Sequence, residues 1–257
     1  MKTNNLLGIL ALLLCTFSFI SCDDKDEKTE IYHLSFEKSY YECPLIGAKD
    51  IMIRGGNRDY SIKIENPSIL EIKVDLSSAM GMGSLELYPK QKGETTIQVK
   101  DNITNETVNL RIRVIDSYLN LAIANPIKPP YVQGDEFFLI NNEHKDFYLY
   151  DTNWNLKNTG VYKFSIENNT PYMELTYQKE FEGKTSYKYD LSKTSQSMFA
   201  VIKLYLNWDW HDSIRAITTK EVAPIIMNAT DIESNTEYFF IRKTNDIPEN
   251  ILGKTEL

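Results

Sequence analysis

The 257-residue sequence predicts an all-β protein, in which a β-sandwich is followed by an antiparallel β-meander or barrel-like domain. Apolar and polar residues alternate along most of the chain, as they do in strands that bury one face. Gly, Asn and Pro interrupt these runs at the spacing of a sandwich or barrel. Aromatic residues make up 12% of the chain, which is enough bulk for two cores. We therefore divide the chain into residues 1–21, 22–30, 31–116 and 117–257.

Residues 1–21 have the pattern of a signal peptide. Lys2 precedes an apolar run over residues 6–20, which is short and close to the terminus. Ser21 and Cys22 follow, and this junction resembles the lipobox of bacterial lipoproteins, although Phe19 stands where that pattern prefers Leu. The resemblance implies that Cys22 becomes the lipidated, palmitate-bearing N-terminus, which anchors the chain to a membrane. The alternative is an ordinary signal peptide with an incidental cysteine.

Residues 22–30 predict an acidic tether. The segment after Cys22 contains no apolar side chain to bury, so we expect it to stay solvated. Its acidic run resembles the surface-export signal of Bacteroidota lipoproteins, which implies an outer-membrane lipoprotein that faces the cell exterior. In enteric bacteria, Asp23 would instead indicate retention at the inner membrane, and the sequence leaves both readings open.

The charge disfavours two classes of binding partner, and the cysteines disfavour an internal disulfide. The net charge is −8, so nucleic acid and anionic lipid surfaces would repel this chain. Of the three cysteines, Cys15 would leave with the signal peptide and Cys22 would carry lipid. Cys43 then has no partner for an internal disulfide. We expect packing and strand pairing to provide the stability of the fold.

Residues 31–116 show the clearest strand alternation, in five runs over residues 61–65, 70–74, 85–87, 95–99 and 110–114. Three of its segments, residues 56–62, 65–70 and 92–101, resemble successive landmarks of bacterial Ig-like domains of group 2. The most specific is Lys-Gly-Glu-Thr-Thr-Ile-Gln-Val over residues 92–99. The resemblance implies an Ig-like sandwich that serves as a spacer or adhesion module and carries no catalytic chemistry.

Residues 117–257 predict a second β-rich body. Closely spaced prolines over residues 125–130 indicate the seam, because they force extended, unpaired backbone, and the boundary itself can lie anywhere from Asp116 to Tyr131. Three consecutive hairpins follow, since residues 137–140 face 147–150, residues 161–166 face 172–177, and the latter run faces 185–191.

Two more strands are expected in this body, over residues 199–206 and 237–242, and a short helix is allowed over residues 216–228. The pattern favours a half-open barrel or a curved sheet. It resembles, at most, the lipocalin-like β-domains of other Bacteroidota lipoproteins.

The sequence contains none of the common catalytic motifs. His33, His144 and His211 lie far apart, and no zinc-protease, serine-hydrolase, phosphate-loop or Cys-x-x-Cys motif occurs. We therefore predict a protein that is not an enzyme and needs no cofactor or metal. A pair of glycosidase-type carboxylates stays open, because such acids can be far apart in sequence.

Residues 207–213 are the one stretch in which tryptophan, acidic and histidine side chains occur close together. On a strand continuing from residues 199–206, Trp208 and Trp210 would share the apolar face. The functional interpretation makes the two indoles stacking platforms for a sugar ring, with Asp209 and Asp212 accepting its hydroxyl hydrogen bonds. The structural interpretation is that the indoles close the end of the core.

A modification motif overlaps this stretch. Asp212-Ser213-Ile214 resembles the short O-glycosylation motif of exported Bacteroidota proteins. A metal site at Asp209, His211 and Asp212 is disfavoured, because neighbouring residues of a strand point to opposite faces.

Together these patterns predict a lipid-anchored cell-surface protein with a non-catalytic binding or adhesion role, for a glycan or a partner protein. A structural or assembly subunit of a surface structure, similar to a fimbrial subunit, is the alternative.

Overall fold

The computed structural model describes residues 31–47, 49–77, 82–124, 129–210, 225–244 and 247–252. The predicted signal peptide and tether, with Cys22, lie outside these residues. Within them the chain forms sixteen strands and one helix, which confirms the predicted all-β class. No helix in this part of the chain is long and apolar enough to cross a membrane.

The first body is a sandwich of two four-stranded sheets, one in the order β1-β3-β6-β5 and the other in the order β2-β8-β7-β4. Strand β2 runs parallel to β8, and the other neighbours are antiparallel. This is the strand order of an immunoglobulin-type sandwich whose first strand is divided between both sheets. The strands are β1 (Ser35–Phe36), β2 (Tyr40–Pro44), β3 (Lys49–Gly55), β4 (Tyr60–Ile64), β5 (Leu70–Asp75), β6 (Ser84–Pro89), β7 (Gly93–Asp101) and β8 (Thr107–Ile115).

The alternating apolar residues of the sandwich strands form its core. Ile97 of β7 lies opposite Leu110 of β8, and both are fully buried. Two of the family-like segments also meet, because Thr95 Oγ1 accepts a hydrogen bond from the Asn66 backbone N–H at 3.0 Å. Cys43 is buried as a free thiol, and burial raises its pKa to about 11. A thiol held neutral in this way is unreactive.

The chain enters the sandwich at one end and leaves it at the other. Leu34 N donates to Glu106 Oε2 at 2.8 Å, so Leu34, just before β1, lies beside the turn between β7 and β8. From that turn β8 runs nine residues to Ile115. At about 3.3 Å per residue this is about 30 Å of strand. The second body therefore starts at the end of the sandwich opposite to the chain's entry.

The second body is a closed barrel of eight antiparallel strands, in which each strand pairs with the next and the last pairs with the first. The predicted hairpins form as expected, and the barrel is closed where a half-open one was expected. The strands are β9 (Tyr118–Ile123), β10 (Glu136–Ile140), β11 (Asp146–Tyr150), β12 (Leu156–Glu167), β13 (Thr170–Phe181), β14 (Lys184–Asp190), β15 (Ile226–Asp231) and β16 (Glu237–Arg242).

In sequence, the proline-rich residues 125–130 lie between two barrel strands, so the barrel starts before them, within the range from Asp116 to Tyr131. Strand β9 precedes them and pairs with both β10 and β16. Asp116 and Ser117 are the residues between the last sandwich strand and the first barrel strand.

Aromatic side chains fill the barrel interior. Tyr131 is buried in this core, with its hydroxyl 2.7 Å from the Tyr177 hydroxyl and also hydrogen-bonded to the Tyr189 hydroxyl. An eight-stranded barrel is just wide enough for side chains to fill. Gly160 is required on the inner face, because a Cβ there would lie 2.0 Å from the Thr176 carbonyl oxygen and 2.7 Å from Phe147.

Helix α1 (Gln196–Leu206) corrects the prediction of a strand over residues 199–206. The alternation of Ile202, Leu204 and Leu206 suggested a strand, but Leu204 is exposed. The buried positions of α1 instead recur at helical spacing. Ser195 caps the first turn, and the helix ends at Asn207, which has a left-handed φ of 56°. The buried helix residues pack against the barrel core: Met198, Phe199, Val201, Ile202 and Leu206.

The helix allowed over residues 216–228 is also wrong where it can be compared, because Ile226–Asp231 is a strand. Residues 211–224 lie outside the described part of the chain. A segment after β16 covers the outer face of β10 and β11, where Ile251 packs with Phe138 and Tyr150. The same segment reaches the sandwich through an ion pair between Lys38 and Glu249, with Nζ and Oε1 2.7 Å apart.

Candidate functional site

The tryptophan segment lies directly after α1, at the barrel end that this helix covers. Trp208 and Trp210 therefore do not continue a strand, and the predicted division into an apolar and a polar strand face does not apply. The left-handed turn at Asn207, whose N–H donates to the Lys203 carbonyl, directs the chain back over the helix. Both indoles consequently return to the barrel core.

Both indoles are half-buried against other aromatic rings. Trp208 stacks on Phe164 with ring centroids 4.8 Å apart and an interplanar angle of 27°. The ring centroid of Trp210 lies 4.7 Å from that of Phe199, a buried residue of α1. Each ring thus packs against its neighbours and keeps part of its surface accessible.

Asp209 lies between the two indoles in sequence and is held by the helix. Its Oδ2 atom is 2.6 Å from Lys203 Nζ, and both side chains are partly exposed. Two aromatic rings and a fixed carboxylate within three residues can contact the apolar face and the hydroxyl groups of a sugar.

The remaining predicted residues of this site, Asp212 and Ser213, lie outside the described residues, as does His211. His33 is exposed and bonded to Glu106, which raises the pKa of its imidazole, and it lies on the sandwich. In the described part of the chain, no group of three or more His, Cys, Asp and Glu side chains is arranged to hold a metal ion.

A second concave region, which we name the junction cavity, lies between the sandwich and the barrel. It has a volume of about 270 Å³. Sequence reasoning missed it, because its walls come from separate parts of the chain, and only the folded arrangement brings them together. The polar and aromatic residues of its wall include Glu42, Lys49, Tyr118, Asn120, Tyr205 and Arg242.

The buried tyrosines of the barrel are held in their neutral form. Burial raises the pKa of Tyr238 to about 12, and it also raises the pKa values of Tyr131, Tyr177 and Tyr189 well above the ordinary value. These phenols act as hydrogen-bonding parts of the core, and none is available as a base near neutral pH.

No protein-family model matches the chain, and no curated protein matches it. Among solved structures, domains 4–9 of the surface layer protein SbsC match 62% of the chain at 12% identity and a TM-score of 0.29. The D00-D0 domain of Intimin matches 84% of the chain at 10% identity and a TM-score of 0.26. The chain spans 26% of that SbsC structure and 100% of the Intimin one. Scores at this level do not establish a shared overall fold.

Proposed function

We propose that this chain is a lipid-anchored protein of the outer cell surface with a non-catalytic binding role. In this proposal Cys22 carries the lipid, residues 23–30 form the tether, the sandwich is a spacer and the barrel presents the ligand-binding surface. The observation that carries the proposal is the placement of the chain's entry and the barrel at opposite ends of the sandwich. An anchor at Cys22 would leave the barrel as the part farthest along the chain from the membrane.

The ligand class that we propose is a glycan, bound at the barrel end by Trp208, Asp209 and Trp210. The half-exposed indoles and the carboxylate fixed by Lys203 support this choice. Sugar rings stack on indoles through their C–H faces, and carboxylates accept hydrogen bonds from their hydroxyls. Asp212 joins the proposed site from sequence alone.

Metabolic labelling with a radioactive fatty acid tests the anchor. The parent protein should be labelled and remain with the membrane fraction, whereas Cys22→Ala should be unlabelled and either released or unprocessed. A Cys43→Ala variant is the matched control, because that thiol is buried and should not affect labelling. Label that persists in Cys22→Ala would disprove the anchor.

Surface exposure is tested separately from lipidation. Replacing Asp23, Asp24, Asp26 and Glu27 with Ala should leave the fatty-acid label intact and protect the protein from protease added to whole cells. If the protease still cleaves the variant as it does the parent, the acidic run is not an export signal.

A glycan array probed with the detergent-purified mature protein tests the ligand. Binding should be lost in the double variant Trp208→Ala and Trp210→Ala. It should persist in Trp154→Ala, because Trp154 is also half-buried on an aromatic core residue, Phe138, but on another face of the barrel. This control separates lost packing from lost contact with a sugar. A parent that binds no glycan, or a double variant that binds like the parent, would refute the glycan proposal.

The assembly alternative predicts a different behaviour. A surface subunit should form concentration-dependent polymers in size-exclusion chromatography, whereas the proposed binding protein should stay monomeric over the same range.

A further inference from the structure

The junction cavity has the dimensions of a site for one small molecule. Its volume of about 270 Å³ is just below the range of about 300–1,000 Å³ that is usual for drug-sized ligands. It therefore suits a compact molecule such as a monosaccharide or an amino acid. It is separate from the tryptophan segment, since Trp208 and Trp210 are not among its lining residues.

Contacts from both bodies hold the cavity walls in place. Asn250 N donates to Glu42 Oε2 at 2.9 Å, which ties the segment after β16 to the sandwich. Ser117 Oγ donates to the Tyr205 carbonyl at 3.0 Å, which ties the linker to α1. Walls fixed before binding reduce the ordering cost that a ligand must overcome.

The carboxylates of the cavity already have partners. Glu249 accepts two hydrogen bonds from Lys38 Nζ, at 2.7 and 3.0 Å. Glu42 is buried and accepts from the Tyr40 hydroxyl at 2.9 Å as well as from Asn250 N. Neither acid therefore needs a cationic ligand.

The guanidinium of Arg242 is a positive charge in the cavity wall. It donates from Nη2 to the Tyr205 hydroxyl at 2.6 Å and lies over that ring, 4.7 Å from the centroid. Among the described residues, no carboxylate forms an ion pair with it. The tyrosine orients the planar guanidinium, and its remaining N–H groups match the two oxygens of a carboxylate. Lys243, which also lines the cavity, is exposed and adds a second positive charge.

Asn120 provides a hydrogen-bond acceptor that lacks a donor in the described structure. It lines the cavity and is only 4% exposed. Its Nδ2 donates to Glu136 Oε2 at 2.8 Å, but its Oδ1 has no hydrogen-bond partner within the described parts of the chain. A buried oxygen without a donor is rare and unfavourable. Because Asn120 lines the cavity, a small rotation of its amide would bring this oxygen to a hydroxyl or ammonium group of a bound molecule.

From these residues we infer that the junction cavity binds a small carboxylate that carries hydrogen-bond donors close to its acid group. Arg242 holds the carboxylate and Asn120 Oδ1 accepts from a neighbouring donor. A hydroxy acid of the uronic acid type and a free amino acid share this chemistry, and binding measurements distinguish between these two sources.

Isothermal titration calorimetry of the detergent-purified mature protein tests the inference with four probes. D-glucuronate represents the hydroxy acids, L-alanine the amino acids, D-glucose lacks the carboxylate and acetate lacks the donors. At least one of the first two should bind, and it should bind about tenfold or more tighter than both glucose and acetate. Whichever of the two binds identifies the source. If neither binds, or if glucose or acetate binds equally well, the inference is wrong.

Arg242→Gln should weaken the binding of the selected acid by about tenfold or more, and Arg242→Lys should restore only part of it, because it cannot form the paired contact. Arg54→Gln is the matched control, since Arg54 is an exposed arginine paired with Glu37 on the sandwich. If Arg242→Gln fails to fold, the exposed Lys243→Gln should still fold and should bind more weakly than the parent. Parent-like affinity in Arg242→Gln, or in Lys243→Gln when that variant alone folds, would overturn the inference.

The double variant Trp208→Ala and Trp210→Ala should keep the parent's affinity for the selected acid. Loss of affinity in this variant would place the acid at the tryptophan segment and overturn the assignment to the junction cavity. The failure of the glycan proposal and of this inference are thereby distinguishable.

Discussion

The sandwich and the barrel are built from the same kind of alternating strand, yet their cores differ in chemistry. Aliphatic residues such as Ile97 and Leu110 dominate the sandwich core, whereas the barrel interior contains many phenylalanines and tyrosines. Aliphatic side chains pack without hydrogen bonds, but each buried phenol needs a partner for its hydroxyl. The barrel core is therefore specified by polar contacts as well as by shape, and the two bodies should respond differently to mutation and to pH.

The three tryptophans make this comparison measurable. Trp154, Trp208 and Trp210 all contact barrel residues, so their fluorescence reports the unfolding of the barrel alone. Far-ultraviolet circular dichroism reports both bodies.

The largest expected effect separates the two cores. Phe147→Ala removes a fully buried ring whose centroid lies 5.0 Å from that of Tyr177. It should lower the free energy of unfolding of the barrel by about 3–5 kcal/mol. Urea denaturation followed by tryptophan fluorescence measures this change. Val161→Ala is the control, because that side chain on the neighbouring strand is 41% exposed.

A sandwich counterpart sharpens the same test. Leu85→Ala also empties a fully buried position, but it should move only the circular dichroism transition. A fluorescence midpoint that shifts in Leu85→Ala would show that both cores unfold as one unit.

The second effect concerns a charge in the sandwich. Asp101 is fully buried and accepts hydrogen bonds from the Asn57 backbone and side chain and from Ile103 N, each at 2.8 Å. Burial alone would raise the pKa of this carboxyl, but these bonds hold it below its usual value. Asp101→Asn should cost the sandwich about 1.5–3 kcal/mol at pH 7, because hydrogen bonds to charged groups are strong.

The pH dependence has a definite sign. A depressed pKa in the folded state contributes stability above the ordinary carboxyl pKa, and that contribution is lost as the pH falls through the folded value. The difference between the parent and Asp101→Asn should therefore shrink below about pH 4. Asp50→Asn, at an exposed position of β3, should show no such difference. A gap that stays constant down to pH 2 would contradict the assigned role of the charge.

Strand alternation was sufficient to predict the class, five of the eight described sandwich strands and three barrel hairpins, because a strand with one buried face has a period of two. It failed for α1, where Ile202, Leu204 and Leu206 imitate a strand, while Ser195 and Asn207 are the capping residues that indicate a helix. The junction cavity could not be predicted, since Asn120, Arg242 and Glu42 come together only after both bodies pack.

The third effect is a loss of barrel stability at alkaline pH, which is the counterpart of the acid dependence of the sandwich. Burial raises the pKa of Tyr238 to about 12 from an ordinary value of 10.0. A raised pKa contributes stability below the ordinary value, and this contribution is lost as the pH rises towards the folded value. Each such tyrosine should cost the barrel about 1.4 kcal/mol per pH unit above pH 10.

The measurement is the urea midpoint by fluorescence at pH 8, 10 and 11. Tyr238→Phe should have a shallower decline than the parent. A barrel midpoint that declines no faster than the sandwich transition would remove the proposed difference between the cores.

The smallest expected effect on stability concerns the N-terminal cap of α1, the helix for which a strand was predicted. Ser195 Oγ accepts from the Met198 backbone N–H at 3.3 Å and so caps the first turn of α1. Ser195→Ala should destabilise the barrel by about 1 kcal/mol, and Ser195→Asp should restore part of this. An aspartate also accepts the hydrogen bond and is favoured at the positive end of the helix, but it cannot replace the hydrogen bond that Ser195 Oγ donates to the Ile226 carbonyl. Ser192→Ala is the control, since the hydrogen bond there is made by the Ser192 backbone N–H to Asp190 and does not need the side chain. The fluorescence midpoint in urea measures all three variants, because Trp208 and Trp210 follow the helix directly. Equal midpoints for Ser195→Ala and Ser192→Ala would mean that packing against the barrel core, and not the cap, determines that residues 196–206 are helical.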